Sequence, residues 1–223
     1  MLVAIDTSTL TMSLALLDGE TLVRHTTVGP PTRLSKALPQ AIIDLVPLEQ
    51  ITAFVVGLGP GSFTGLRISL ACVKGIAYAR KVPVVGVSSL AAVAAEGPPG
   101  AELFAAATVK KGELYLRREN EELVVTVQGF ADAMRERPFA VALGPGIVEY
   151  KQQLVDLGIE PARLLETVKF PSAVHLAKLA KVPAAYDAQA VFALEPHYIR
   201  SSGAEDNPKF PPLPGVPATA RLK

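Results

Sequence analysis

The chain has no tryptophan, one cysteine and three histidines in 223 residues. A lone Cys72 cannot form an internal disulfide, so a disulfide scaffold is excluded and a reducing compartment is expected. His25, His175 and His197 are scattered, and no HxxxH or HExxH pair is present, so a helix-borne metal site is not expected. No excess of one charge exists either. Lys plus Arg number 22 and Asp plus Glu 21, for a net charge of +1, which argues against a broad basic surface while leaving room for a local basic patch. No uninterrupted apolar run reaches the roughly 18 residues of a membrane span. The start, MLVAID, lacks the basic region of a secretory signal, and Asp6 interrupts it. A cytoplasmic protein without membrane contact is expected.

The apolar fraction of 49% is ample for a core, and the length fits one large domain or two lobes of about 100 residues. Leu2 to Ile5, Met12 to Leu17 and Leu22 to Val28 read as strands, with Asp18-Gly19 as a hairpin turn between the last two. Thr32 to Val46 has helical spacing, interrupted by Pro39, which predicts a kink or a late start. A buried strand over Ala53 to Leu58 runs into Gly59-Pro60-Gly61. The longest helical pattern, Thr64 to Arg80, follows it, with Ser62 or Thr64 as N-cap. Val82 to Val87 reads as a strand and Ser88 to Glu96 as a helix. The breakers Gly97-Pro98-Pro99-Gly100 predict a lobe boundary. Strands restart at Leu103 to Val109, Glu113 to Arg117 and Leu123 to Val127. Helix Phe130 to Glu136, strand Phe139 to Leu143, a helix after Gly146, and helices Ser172 to Lys181 and Asp187 to Leu194 complete the order. The predicted organisation is an N-terminal lobe over 1–100, a C-terminal lobe over 101–200 whose last helix packs on the first lobe, and a proline-rich tail over 201–223.

FVVGLGPG at 54–61 and FAVALGPG at 139–146 agree at six of eight positions and hold the same place in the order of elements. Duplication of one α/β unit accounts for this; chance likeness between strand–turn–helix units is the alternative. The helix over 64–80 carries two apolar faces. Leu66, Leu70, Val73 and Ala77 form one, and Ile68, Cys72, Gly75 and Ala79 the other, with Arg67, Lys74 and Tyr78 on a polar stripe between them. Such a helix is buried on more than one side, against its own sheet and a neighbour. The neighbour is a second chain or another part of the same domain.

Candidate chemistry is sparse. Asp6-Thr7-Ser8-Thr9 ends the first strand, where a carboxylate holds a metal-bound phosphate in some folds and forms an ordinary Asx turn in others. Gly57 to Thr64 precedes a helix N-terminus and suits an anion, or is a tight turn. It is neither a Walker loop nor a dinucleotide fingerprint, because no Gly-Lys-Ser/Thr follows and Pro60 removes a donor. Ser62 lacks a GxSxG context. Tyr115, Tyr198 and the histidines read as packing or surface residues.

AIDTSTLTMSLALLDG, GLGPGSFTGLRISLACVKGIA, VVGVSSLAAVA, KGELY and EPHYIR occur in that order over residues 1 to 200. Together they resemble the TsaB family of bacterial tRNA threonylcarbamoyladenosine synthesis, a glycoprotease-like group, with GPGSFTGxR as the most specific segment. The resemblance implies an α/β protein with a duplicated actin/Hsp70/sugar-kinase-like (ribonuclease H-like) fold, two lobes each with a mixed sheet flanked by helices. It implies a non-catalytic scaffold or activating subunit that pairs with the catalytic TsaD and, with it, the ATPase TsaE, touches tRNA only through that complex, and forms a homodimer when alone. On this basis Leu34, Leu38, Leu66, Leu70, Val73, Lys74 and Ala77 are the expected partner-binding residues. Asp6, Gly59, Pro60 and Gly61 match phosphate-approaching positions in active relatives and are expected to be degenerate. No cofactor of its own is implied, ATP or ADP entering at the partner interface at most. Arg33 to Ala37 lies where the catalytic relative carries an HxxxH metal pair, and holds no His. Thr108 stands where the family commonly has Asp. The alternatives are a nucleotide-dependent kinase-like transferase or a glycoprotease of the same fold, and a plain nucleotide-binding module.

Overall fold

The structure, a computed structural model, describes residues 1–30 and 33–199. The expected helix start at Thr32 and the proline-rich tail lie outside the described residues. Strands β1 (Leu2–Asp6), β2 (Met12–Asp18) and β3 (Thr21–Val28) form a meander, turning at Gly19, whose φ of 58° suits a residue without Cβ. Helix α1 (Leu34–Leu45) runs through Pro39. Strand β4 (Ala53–Gly57) leads into α2 (Phe63–Arg80), and β5 (Val84–Val87) into α3 (Ser89–Ala94). The second half repeats this plan. A meander of β6 (Leu103–Lys110), β7 (Glu113–Arg118) and β8 (Glu121–Thr126) is followed by α4 (Val127–Glu136), β9 (Val141–Leu143), α5 (Pro145–Asp156) and β10 (Leu164–Leu165). Helices α6 (Ala173–Leu179) and α7 (Ala188–Ala193) end the described chain.

The two sheets have the same topology. The first is ordered β3-β2-β1-β4-β5 and the second β8-β7-β6-β9-β10. In each, the meander is antiparallel and the last two strands join in parallel. The echoed segments fall on the fourth strand of each sheet, β4 and β9, both parallel to the first strand of their half. Duplication thus accounts for the echo. Phe139, read as part of a strand, lies outside β9 and is 88% exposed.

Period-2 alternation sets the layers. In β1, Val3 and Ile5 join Leu14, Phe54 and Val56 under α1 and α2, while Ala4 and Ala15 face the other way. The small alanines admit Ala173 and Leu176 of α6, so a helix from the second half covers the first sheet. The converse also holds, because Leu90 and Val93 of α3 pack with Ala105, Ala107 and Leu143 of the second sheet. Ser13 Oγ accepts from Ala173 N at 3.0 Å, fixing the start of α6 on β2.

Most of the expected partner-face residues point into the chain itself. Leu38, Leu66, Leu70, Val73 and Ala77 are all buried, and Leu38, Leu70, Val73 and Ala77 sit in the cluster that covers β1 and β4. The sheet face needs an apolar lid, and the bulkier face of α2 supplies it. Leu34 and Lys74 are half-buried. The face of α2 left outside carries Ala71, Gly75 and Ala79, all exposed, beside half-buried Ile68 and Cys72, while Ile43 of α1 is 53% exposed. A Cβ built on Gly75 meets nothing within 4 Å.

Candidate functional site

Asp6 closes β1 at the point where β4 and α2 meet. Its carboxylate is wholly buried, and each oxygen is taken. Oδ1 accepts from Ser8 N at 2.9 Å and Ser8 Oγ at 2.6 Å, and Oδ2 accepts from Ser89 Oγ at 2.6 Å. Ser89 Oγ accepts in turn from Gly59 N at 3.1 Å. Burial pushes the Asp6 carboxyl up from its ordinary range, and the Ser8 and Ser89 hydrogen bonds pull it back only in part. The carboxylate therefore serves as a knot tying β1 to the Gly59–Gly61 corner and to the start of α3.

The corner is equally crowded. A Cβ on Gly57 would lie 2.1 Å from Asp6 Oδ2, and one on Gly61 would lie 2.2 Å from the Ser8 carbonyl oxygen. Ser62 N donates to Ser8 O at 2.7 Å, and Ser62 Oγ caps α2 by accepting from Gly65 N. The cap falls on one of the two residues that sequence spacing offered. These residues do not fit a metal-bound nucleotide phosphate, because the acid and the corner are spent on each other. Asp6, Gly59, Pro60 and Gly61 do come together, as expected, but as a closed internal joint.

A cleft of about 820 Å³ opens beside this joint, between the loop after β1 and the second lobe. Leu10, Phe63 and Tyr198 give it an apolar rim, and Ser62, Thr108 and Lys169 a polar one. Thr108 Oγ1 donates to Glu149 Oε2 at 2.6 Å on the second-lobe side of the cleft. Among the described residues, no group of three His, Cys, Asp or Glu side chains stands close enough to share a metal ion. No described helix is long and apolar enough to cross a membrane.

Sequence reasoning missed Glu122. Its side chain is 4% exposed and gathers three parts of the chain. Arg117 Nη1 donates to Oε1 at 2.7 Å, Ser88 Oγ of the first lobe donates to the same oxygen, and His197 Nδ1 lies 3.1 Å from Oε2. Next to it, His197 N donates to Leu58 O at 2.7 Å. The segment after α7 is thus strapped across both lobes. No local pattern marks Glu122, since its partners lie 5, 34 and 75 residues away. Glu122→Ala strands a largely buried Arg117. The expected result is a loss of about 3 kcal/mol in urea unfolding and faster amide exchange over 194–199, with the sheets intact. Unchanged exchange there would show that the strap holds without Glu122.

Duplicated 3-2-1-4-5 sheets with helices between them, and a sealed acid at the end of the first strand, define an α/β protein of the actin/Hsp70/sugar-kinase-like type. The family described as "TsaD: tRNA N6-adenosine threonylcarbamoyltransferase" matches residues 32–184. A tRNA threonylcarbamoyladenosine biosynthesis protein TsaB of Bacillus subtilis is 28% identical over 92% of this chain and 96% of its own length. The TsaB of Escherichia coli is 35% identical over 51% of this chain, which thus spans only about half (52%) of that relative. Among solved structures, YeaZ from Pseudomonas aeruginosa superposes with a TM-score of 0.61 and 30% identity, covering 80% of this chain and 90% of that one. A second Pseudomonas aeruginosa protein, described as similar to peptidase YeaZ, gives a TM-score of 0.68 and 27% identity over 89% and 99%. The chain belongs to the threonylcarbamoyltransferase family, on its TsaB/YeaZ branch.

Proposed function

We propose that this chain takes part in tRNA threonylcarbamoyladenosine synthesis as a non-catalytic scaffold or activating subunit. It pairs with a catalytic TsaD-like protein of the same fold, and a TsaE-like ATPase joins the pair. The relatives' names support the pathway. The observation that carries the scaffold reading is the outer surface of α1 and α2, where Ile43 of α1 and the small residues Ala71, Gly75 and Ala79 of α2 are all exposed. Small residues let a second helix approach closely, and an apolar face left uncovered by the described residues is suited to a cover from outside. The sealed Asp6 supports a chain without phosphate chemistry of its own. Any ATP or ADP enters at the interface with the partner, and the same face serves a homodimer when the partner is absent.

Gly75→Arg separates docking from folding. Open space around Gly75 leaves the fold room for the new side chain, and replacing a mid-helix glycine gains roughly 0.5 kcal/mol or more of helix propensity. Thermal stability is therefore expected to hold or rise, while co-elution with the TsaD-like protein in gel filtration is lost. Wild-type chain that fails to co-elute, with or without nucleotide, would sink the reading. A variant that still co-elutes would move the interface elsewhere.

A further inference from the structure

The flank of α2 next to the strap has a different chemistry from the small-residue face. At about 100° per residue, positions 63, 67, 74, 78 and 81 fall within about 60° of one another. They are Phe63, Arg67, Lys74, Tyr78 and Lys81, a stripe about 27 Å long. Helix α7 and the strap together double its aromatic content. Tyr198 packs on Phe63 with ring centroids 5.2 Å apart, and Phe192 packs on Tyr78 at 5.5 Å. All four rings keep a large part of their surface in water, at 39% for Phe63, 49% for Tyr78, 54% for Phe192 and 37% for Tyr198.

Cations are interleaved with these rings. The Arg67 guanidinium lies 4.2 Å from the Phe63 centroid, and Lys81 Nζ 3.9 Å from that of Tyr78. Lys74 Nζ donates to Phe192 O and Arg67 Nε to Tyr198 Oη. These bonds orient the cations without neutralising them. Among the described residues, none of Arg67, Lys74 and Lys81 forms an ion pair with a carboxylate. In a chain of net charge +1, three unneutralised cations along one helix flank are a concentrated local field.

We propose that this flank of α2, with the strap beside it, is a docking surface for single-stranded RNA, the loop of the substrate tRNA being the occupant. The occupant rests on the proposed role in tRNA modification. Half-exposed rings offer π-faces to unstacked bases, and interleaved cations track the phosphates between them. A duplex keeps its bases stacked and cannot use the rings. An apolar helix laid on the same flank would bury three uncompensated charges. The site lies beside the small-residue face, so partner and RNA are held at once. Tyr198 also lines the rim of the interlobe cleft, so the stripe begins where that cleft opens.

The test uses the full chain, alone and with its TsaD-like partner, and a fluorescein-labelled anticodon stem–loop RNA. A blunt duplex of the same composition is the control. The expected result is a preference for the looped RNA, with log affinity against log salt sloping at about −2 for three contacted phosphates. Tyr78→Ala/Phe192→Ala is expected to weaken loop binding at least about tenfold. Lys81→Glu leaves the rings in place and is expected to weaken binding and flatten the slope. Both variants are expected to co-elute with the partner as wild type does. Equal binding of duplex and loop, or binding unchanged in both variants while co-elution persists, overturns the RNA surface alone. Loss of co-elution in the charge variant overturns it in favour of a protein interface. Failure of the wild-type chain to co-elute counts against the scaffold reading, whatever RNA does.

Discussion

Leu70→Asp is expected to leave the chain predominantly unfolded at neutral pH. Leu70 is 6% exposed, in the middle of α2, within the cluster that contains Val3, Ile5, Phe54 and Val56. The substitution removes about 2 kcal/mol of apolar burial and puts a carboxylate into an apolar cluster. The combined cost is on the order of 5 kcal/mol or more, comparable with the whole stability of many domains. A carboxyl placed there has its pKa raised in the folded state, so the folded form binds its proton more readily than the unfolded one. Stability of the variant should therefore rise as pH falls through the window between the raised folded value and the ordinary unfolded one. Urea titrations at neutral and mildly acidic pH read this directly. A native-like midpoint at neutral pH would mean that Leu70 faces outward after all. The contrast with Gly75→Arg is the point of the pair. Five residues apart on one helix, the first change strikes the core and the second strikes docking.

Gly65→Ala should cost about 3 kcal/mol although it adds one methyl group. A Cβ at this position would sit 2.2 Å from the Thr7 carbonyl oxygen, which belongs to backbone and has nowhere to go. Thr7 Oγ1 also donates to Gly65 O at 2.9 Å, so α2 and the turn after β1 are clasped from both sides. Relief requires the first turn of α2 to lift, which disturbs the Ser62 cap and, through Ser8, the Asp6 knot. The readout is a lower urea midpoint with the same slope, together with faster amide exchange over 7–9 and 62–66. A midpoint within experimental error of wild type would show that the turn yields freely.

The strands and long helices were legible because their signals are local. β1 to β4 alternate or run apolar between clear turn residues, and Ser62 precedes a pattern long enough to leave no doubt about α2. The duplication was legible from eight residues because the Gly-Pro-Gly corner repeats at the same place in each half. β10 was not, since two residues have no period. On α2, periodicity revealed two apolar faces but not which one meets the sheet, and the one with Leu66, Leu70, Val73 and Ala77 is buried within the chain. Side-chain volume held the answer. The leucines and valine fill the space over β1 and β4, and the Ala71, Gly75 and Ala79 side is left outside. Asp6 was found as a candidate, but Ser89, which seals it from 83 residues away, carried no mark in the sequence. Glu122 and the strap likewise depend wholly on tertiary placement.

The exchange of helices between halves has a consequence for synthesis on the ribosome. All five strands of the first sheet exist once Val87 is made, but α6, which covers their alanine-rich face, is complete only at Leu179. At about 5 to 20 residues per second, that face waits roughly 5 to 20 seconds for its cover. Until then it has only α3, whose Leu90 and Val93 are themselves waiting for the second sheet. The nascent first half is thus the stage most exposed to aggregation.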